Sequence, residues 1–376
     1  MKKKQQKFKG NLALTLICVI IGAISGVIMA IYLDGVFEEY GFLPSLLFKA
    51  LIFLITYFLQ LIIHEFGHLV AGLLSGYSFG SFRIGSLMIV NNDGKLKIKH
   101  QSVAGTGGQC LMIPPKPVDG KIPVIFYNLG GVFMNFITLP ICVYLIRFLI
   151  GKPVLYCGCV MMFLSGLIVV LTNGIPLKLG MINNDGSNAV ELYHNKEAMA
   201  SFYNQFMILE FIRNGKRLKE IPIEYFPMPT KEGMKNSISA SSAVFLENRL
   251  FDAKEFDEAL SLINELLSTE SALIGLHKNF LLADKITIQL LRGENDRARN
   301  LYLDQNYQKF AKQMKTSINI IRTDYAYALL YEGNEKKASE ILLYFNKCAQ
   351  RHPYNSDVES ERELISLIDD TFNKFG

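Results

Sequence analysis

Charge is scarce in this chain. Only 19 % of its 376 residues are Asp, Glu, Lys or Arg, half are apolar and none is tryptophan. An average soluble protein carries about 25 % charged residues, so the deficit argues against a wholly soluble chain and for membrane segments. Cysteine is also sparse. Cys18, Cys110, Cys142, Cys157, Cys159 and Cys348 are scattered, and most lie in apolar runs, so no disulfide framework is suggested. Cys157-Gly158-Cys159 has the spacing of a metal pair, but inside an apolar segment small packing residues are the commoner reading. No basic stripe with interleaved aromatics occurs, and nothing argues for nucleic-acid binding.

What is present is distributed unevenly. The basic leader, residues 1–10, holds Lys2, Lys3, Lys4, Lys7 and Lys9 and no acid, which reads as a topology signal or a contact with anionic lipid head groups. Four apolar runs follow, at about 11–33, 45–75, 122–150 and 154–176, within a membrane-embedded domain over 11–186. The first run is about twice the length of a signal-peptide core and lacks an obvious small-residue cleavage site, so an uncleaved membrane helix is expected. The second would reach about 46 Å as a helix, more than the hydrocarbon thickness of about 30 Å. One end of it should therefore tilt or project into a polar zone.

Loop charges orient these spans. The 34–44 loop is acidic (Asp34, Glu38, Glu39), whereas the 76–121 loop carries Arg83, Lys95, Lys97, Lys99, Lys116 and Lys121. The positive-inside rule then places both termini and the middle loop in the cytoplasm, in a multi-pass protein of the cell membrane. Within the middle loop, Phe82 to Val90 and Lys95 to Val103 are β-prone and joined by Asn91-Asn92-Asp93-Gly94, a turn signal for a hairpin in the region of about 80–113. Such a hairpin either offers an edge for an extended peptide or only covers the core.

Residues 187–376 read as a cytoplasmic, soluble α-helical domain. Ala259, Ala298 and Ala338 each follow a polar turn and open a helix, at intervals of 39 and 40 residues. The array resembles tetratricopeptide helix pairs, whose standard period is about 34 residues, and an array of α-helical hairpins that recruits a protein partner is expected. The fold class is thus mainly α, with about four transmembrane helices, a small β-hairpin and this C-terminal array.

The chemistry concentrates at His64-Glu65-Phe66-Gly67-His68. Spacing of i and i+4 puts both imidazoles on one helix face, one turn apart, where they can share a Zn²⁺. Glu65 is the expected catalytic base, taking a proton from water at the metal. The motif lies inside an apolar run, between Leu61-Ile62-Ile63 and Leu69-Val70-Ala71. A central ionisable residue there costs about 2.5–3.5 kcal/mol on insertion scales, so three close together call for a compensating partner such as a metal.

A catalytic zinc takes three protein ligands. His100, His194, His277 and His352 fall in the hairpin or the soluble domain and read as surface residues. Asp185 follows Asn173-Gly174-Ile175-Pro176 at the exit of the last span, on the HEFGH side by topology, and is the favoured third ligand. Asp119, also followed by Gly, is the rival, and both can be turn residues.

With these residues in place, the sequence resembles the site-2 protease family of intramembrane zinc metalloproteases. That family pairs an HExxH membrane helix with an Asn-x-x-Pro…Asp-Gly element whose Asp completes the zinc site. Asn173, Pro176, Asp185 and Gly186 match the second element, and Gly130-Gly131-Val132-Phe133-Met134-Asn135 resembles the family's Gly-x-x-x-Asn helix. The match covers roughly 45–187. It departs from the family in the eight residues between Pro176 and Asp185, longer than the common spacing.

The resemblance implies hydrolysis of peptide bonds in transmembrane or membrane-associated proteins or peptides, with one zinc on His64, His68 and Asp185. Asn135 and Asn173 are expected either to steady the substrate backbone or to bond helices together. Two other readings are an inactive member of the fold serving as an assembly or immunity factor, opposed by the intact Glu65 and histidines, and a transporter accessory protein. The latter has little support, since the spans show no repeats or intramembrane charge relay.

Overall fold

The computed structural model describes residues 19–92, 95–100, 107–176, 178–179 and 182–375; the basic leader and the start of the first expected span lie outside them. The chain is mostly helical with a small antiparallel sheet. It forms two compact units that interleave in sequence, Met1–Ser75 with Pro123–Val190 and Gly76–Ile122 with Glu191–Gly376. The sheet therefore groups with the C-terminal helices rather than within a continuous membrane domain ending at 186. Arg213 contributes to that grouping by donating from Nη1 to the Phe79 carbonyl at 3.1 Å.

The first unit holds helices α1 (described as Val19–Tyr32), α2 (Phe42–Leu74), α3 (Val124–Ile146) and α4 (Pro153–Gly174). Three of these, α2, α3 and α4, are long and apolar enough to cross a membrane; the described part of α1 is shorter. Three of the four expected spans thus fall on helices long and apolar enough to cross a membrane. Their side-chain pattern is inverted relative to a soluble helix. On α2, Thr56, Gln60, His64 and His68 recur every four residues and are all buried, while Leu47, Leu51, Leu54, Ile55 and Phe58 face outwards. Apolar solvent outside and polar groups satisfied inside produce this arrangement.

In the second unit, strands β1 (Ser78–Ile84), β2 (Leu87–Asn92), β3 (Lys95–His100) and β4 (Gly108–Ile113) form one antiparallel sheet in the order β3-β2-β1-β4. The stretch from Phe82 to Val90, expected as one strand, is two. Ile84 pairs with Leu87 across Gly85-Ser86, and Gly85 takes φ +58°, which glycine adopts freely at the first position of a two-residue hairpin loop. The second expected strand is β3 as far as His100, with its continuation outside the described residues, as are Asp93 and Gly94 of the expected turn. Strand β4 adds an edge, with Cys110 and Met112 turned inwards.

After two short strands, β5 (Lys178–Leu179) and β6 (Ile182–Asn183), the chain is helical. Helix α5 (Asp185–His194) leads into α6 (Lys196–Arg213), α7 (Ser237–Asp252), α8 (Phe256–Ser268), α9 (Gly275–Leu291), α10 (Asn295–Tyr302), α11 (Gln305–Gln313), α12 (Ile318–Ala326), α13 (Glu335–Ala349) and α14 (Asn355–Phe375). Ala259, Ala298 and Ala338 are all buried where α8, α10 and α13 pack on the preceding helix. Each lies five residues after a left-handed residue, Lys254, Gly293 or Gly333, that ends that helix. The additional residue of the 40-residue interval coincides with a π turn at Tyr327–Tyr331, the wider i→i+5 winding that accommodates one inserted residue.

Candidate metal centre

Three side chains from distant parts of the sequence meet in the first unit. His64 Nε2 lies 2.9 Å from Asp185 Oδ2 and 3.2 Å from His68 Nε2, and His68 Nε2 lies 3.5 Å from the same carboxylate oxygen. They are the group of His, Cys, Asp and Glu that can hold a metal ion among the described residues. The outer ring nitrogens are occupied. His64 Nδ1 is 2.7 Å from Asn135 Oδ1 and His68 Nδ1 is 2.9 Å from the Tyr127 carbonyl oxygen. Both partners are oxygens that only accept, so each Nδ1 carries the proton. In a neutral imidazole Nε2 is then a bare acceptor. Two lone pairs and a carboxylate oxygen converge on one point, where a proton can bridge only one pair but a cation engages all three.

Burial alone would raise the Asp185 carboxyl; the neighbouring His64 and then His68 outweigh it and hold the group below its ordinary value. Its side chain is 21 % exposed against 7 % for His64 and 10 % for His68, so the centre opens on the Asp185 side.

Small residues bring the helices close enough. A Cβ on Gly67 would lie 2.4 Å from the Gly130 carbonyl oxygen, and one on Gly131 would lie 2.7 Å from His68 Nε2. The HEFGH glycine and the Gly130-Gly131 pair thus let α3 lie directly against the two rings. Asp185 is held by its neighbours. Asn184 donates to the Thr172 and Ile175 carbonyls at the end of α4, at 2.7 and 2.5 Å, and its Oδ1 accepts from Ser187 N at 2.9 Å. One side chain therefore satisfies carbonyls left free at one helix end and caps the start of the next. Gly186 permits the approach, since a Cβ there would meet the Gly174 oxygen at 2.4 Å. The long interval before Asp185 is taken up by β5 and β6, which pair antiparallel and return the chain to α4.

The other expected residues fall in varied places. Glu65 is buried on the same turn as His64, with 8 % exposure. Asn135 is fully buried and holds His64. Asn173 donates to the Val169 carbonyl of its own helix at 3.1 Å. Asp119 is an exposed turn residue with φ +50°, in a bridge that pairs Val118 with Lys121. Cys157 packs in a core with Leu33, Met161 and Leu164, and Cys159 Sγ donates to the Cys142 carbonyl at 3.3 Å. His277 and His352 are half-buried rather than on the surface, and burial pushes His277 down to about 4.

Sequence reasoning missed Tyr127 and Asn184. Tyr127 contributes a backbone carbonyl, which leaves no mark on residue type. Asn184, in contrast, precedes Asp185-Gly186 as a helix cap would, and was readable. Comparison with protein-family models, with curated proteins and with solved structures finds no match to this chain.

Proposed function

We propose that this chain is a membrane-embedded zinc metallopeptidase of the site-2 protease kind, acting on transmembrane or membrane-associated proteins or peptides. One observation carries the reading: the convergence of His64 Nε2, His68 Nε2 and Asp185 Oδ2 at separations of 2.9–3.5 Å. A tetrahedral zinc with bonds of about 2.0–2.1 Å needs ligand atoms about 3.3 Å apart, and a His₂-carboxylate donor set suits that ion. Zinc there would polarise a scissile carbonyl and make water acidic near neutral pH.

The chain's own groups do the rest. Asp185 offsets the cation's charge, and Asn135 and the Tyr127 carbonyl fix the ring orientations. Glu65, one residue from His64, takes the proton from water and returns it to the leaving amine. The apolar helices around the centre restrict water to the side on which Asp185 is exposed. The C-terminal hairpins, with their shared left-handed turns, support a helical-repeat module of tetratricopeptide type that recruits a partner. The loop charges favour a cell-membrane protein with cytoplasmic termini.

The test is a Glu65→Gln variant in reconstituted membranes, with membrane proteins of the source cell as substrates and cleavage read by mass spectrometry. Turnover should fall about 10²–10⁴-fold while the metal stays bound. Undiminished cleavage by that variant would contradict the assignment of the base.

A further inference from the structure

Gln60 sits one helical turn before His64, with no exposed surface, where α2, α3 and α4 meet. Its hydrogen bonds fix its orientation without ambiguity. Gln60 Nε2 lies 3.0 Å from the Met162 carbonyl, which only accepts. It also lies 2.9 Å from Thr138 Oγ1, whose own proton goes to the Asn135 carbonyl at 2.6 Å. The nitrogen end of the Gln60 amide therefore faces α4, and Oε1 faces Asn135. Asn135 Nδ2 donates to this Oε1 at 2.6 Å and to the Gln60 backbone carbonyl at 2.9 Å. With both Nδ2 protons so engaged, Asn135 can present only Oδ1 to His64 Nδ1, 2.7 Å away. The chain of obligate donors and acceptors ends at a His64 whose Nε2 lone pair faces the metal position.

A second observation points the same way. Gly166 on α4 lies against the Gln60 amide, and a Cβ there would stand 2.6 Å from Gln60 Nε2. The fold leaves a gap in α4 shaped to this side chain.

We propose that Gln60 is a positioning residue for the metal centre: it locks the Asn135 amide and thereby the Nδ1–H form and ring orientation of His64. This rests on the metal-site reading above. A glutamine that merely bonded helices together would affect stability and leave metal binding alone. A residue that sets the ligand's tautomer changes affinity, because outer hydrogen-bond partners of a liganding histidine are worth about 10–100-fold. The backbone carbonyl of Gln60 remains in any variant, so the lower end of that range applies.

The experiment compares full-length wild type, Gln60→Leu and Thr56→Val in detergent. Thr56 lies one turn earlier on the same buried stripe and, among the described residues, its side chain bonds only to Phe53 of its own helix, so it controls for general loosening. Zinc affinity is read by chelator competition, and the His64 tautomer in the metal-free chain by nitrogen-15 NMR. Gln60→Leu should bind zinc about tenfold more weakly and lose the single Nδ1–H form, while Thr56→Val matches wild type. Unchanged affinity and tautomer in Gln60→Leu, or an equal loss in Thr56→Val, would overturn the proposal while leaving the metal site standing. A wild-type chain that takes up no zinc would overturn both.

Discussion

Two buried polar clusters in this chain solve the burial of charge in opposite ways. In the helical array, Arg322 is fully buried and donates to Asp284 at 2.5 Å, to Glu361 at 2.9 Å and to Thr287 at 2.7 Å. Arg217 similarly bridges Asp252 and Glu363. Among the described residues neither Glu247 carboxyl oxygen has a hydrogen-bond partner, and burial followed by the nearby Asp284 raises its carboxyl well above the ordinary value. Opposite charges face each other around the two arginines, and Glu247 is the exception beside them. At the HEFGH helix, His64, His68 and Asp185 turn acceptors towards one another, with their outer ring protons tied elsewhere. The arginine network carries its own cations, whereas the HEFGH cluster presents three acceptors that a cation could join.

The largest expected effects come from breaking each cluster separately. Arg322→Met leaves Asp284 and Glu361 buried without their cation, and losing one partner of a buried pair costs about 3–5 kcal/mol. Chemical denaturation should show that loss, while zinc bound per folded chain stays at the wild-type level. An unchanged denaturation midpoint would mean that the arginine network does not hold the array together. Asp185→Asn should act in the reverse sense. It removes the proposed anionic ligand, so affinity should fall by at least the 10–100-fold typical of an outer partner. Asp119→Asn is the counterpart. Asparagine shares aspartate's tolerance of a left-handed backbone, so this exposed turn should keep both stability and zinc affinity. A zinc loss in Asp119→Asn but not Asp185→Asn, read by chelator competition, would reassign the third ligand.

The same contrast explains what was legible from residue type. His64 and His68 stood out because polar residues at helical spacing inside an apolar run have no bland explanation. Asp185 was readable from its Asp-Gly context after Pro176, but its route was not, since two-residue strands such as β5 and β6 leave no periodicity to detect. The helix pairs showed through Ala259, Ala298 and Ala338, which are buried where the helices pack. The sheet was read as half its size. Gly85 interrupts an otherwise continuous β-prone run, and β4 follows a glycine-bearing stretch that reads as punctuation. Gln60 looked like one more residue of an apolar helix, because its role depends on contacts with α3 and α4 that are far away in sequence.

A smaller effect separates the clusters by pH. In the array, burial, then Glu361 and Asp252, push Asp357 up to about 7 from its ordinary 3.8. The raised group binds its proton more tightly when folded. Its stabilising contribution is full below the ordinary value and is lost as pH rises through about 7. Asp357→Asn should therefore flatten the decline in melting temperature of the array over that window, and an unaltered slope would contradict this assignment. The metal centre should run the other way, since its ligands bind metal only when deprotonated and release it as pH falls.

The most direct measurement of the central claim is the metal content of the purified full-length chain by inductively coupled plasma mass spectrometry. Wild type and a His64→Ala/His68→Ala double variant should be compared. About one zinc per chain is expected in the wild type and almost none in the variant, because Asp185 alone is a weak site. Stoichiometric zinc in the double variant, or no metal in a wild type supplied with it, would contradict the account.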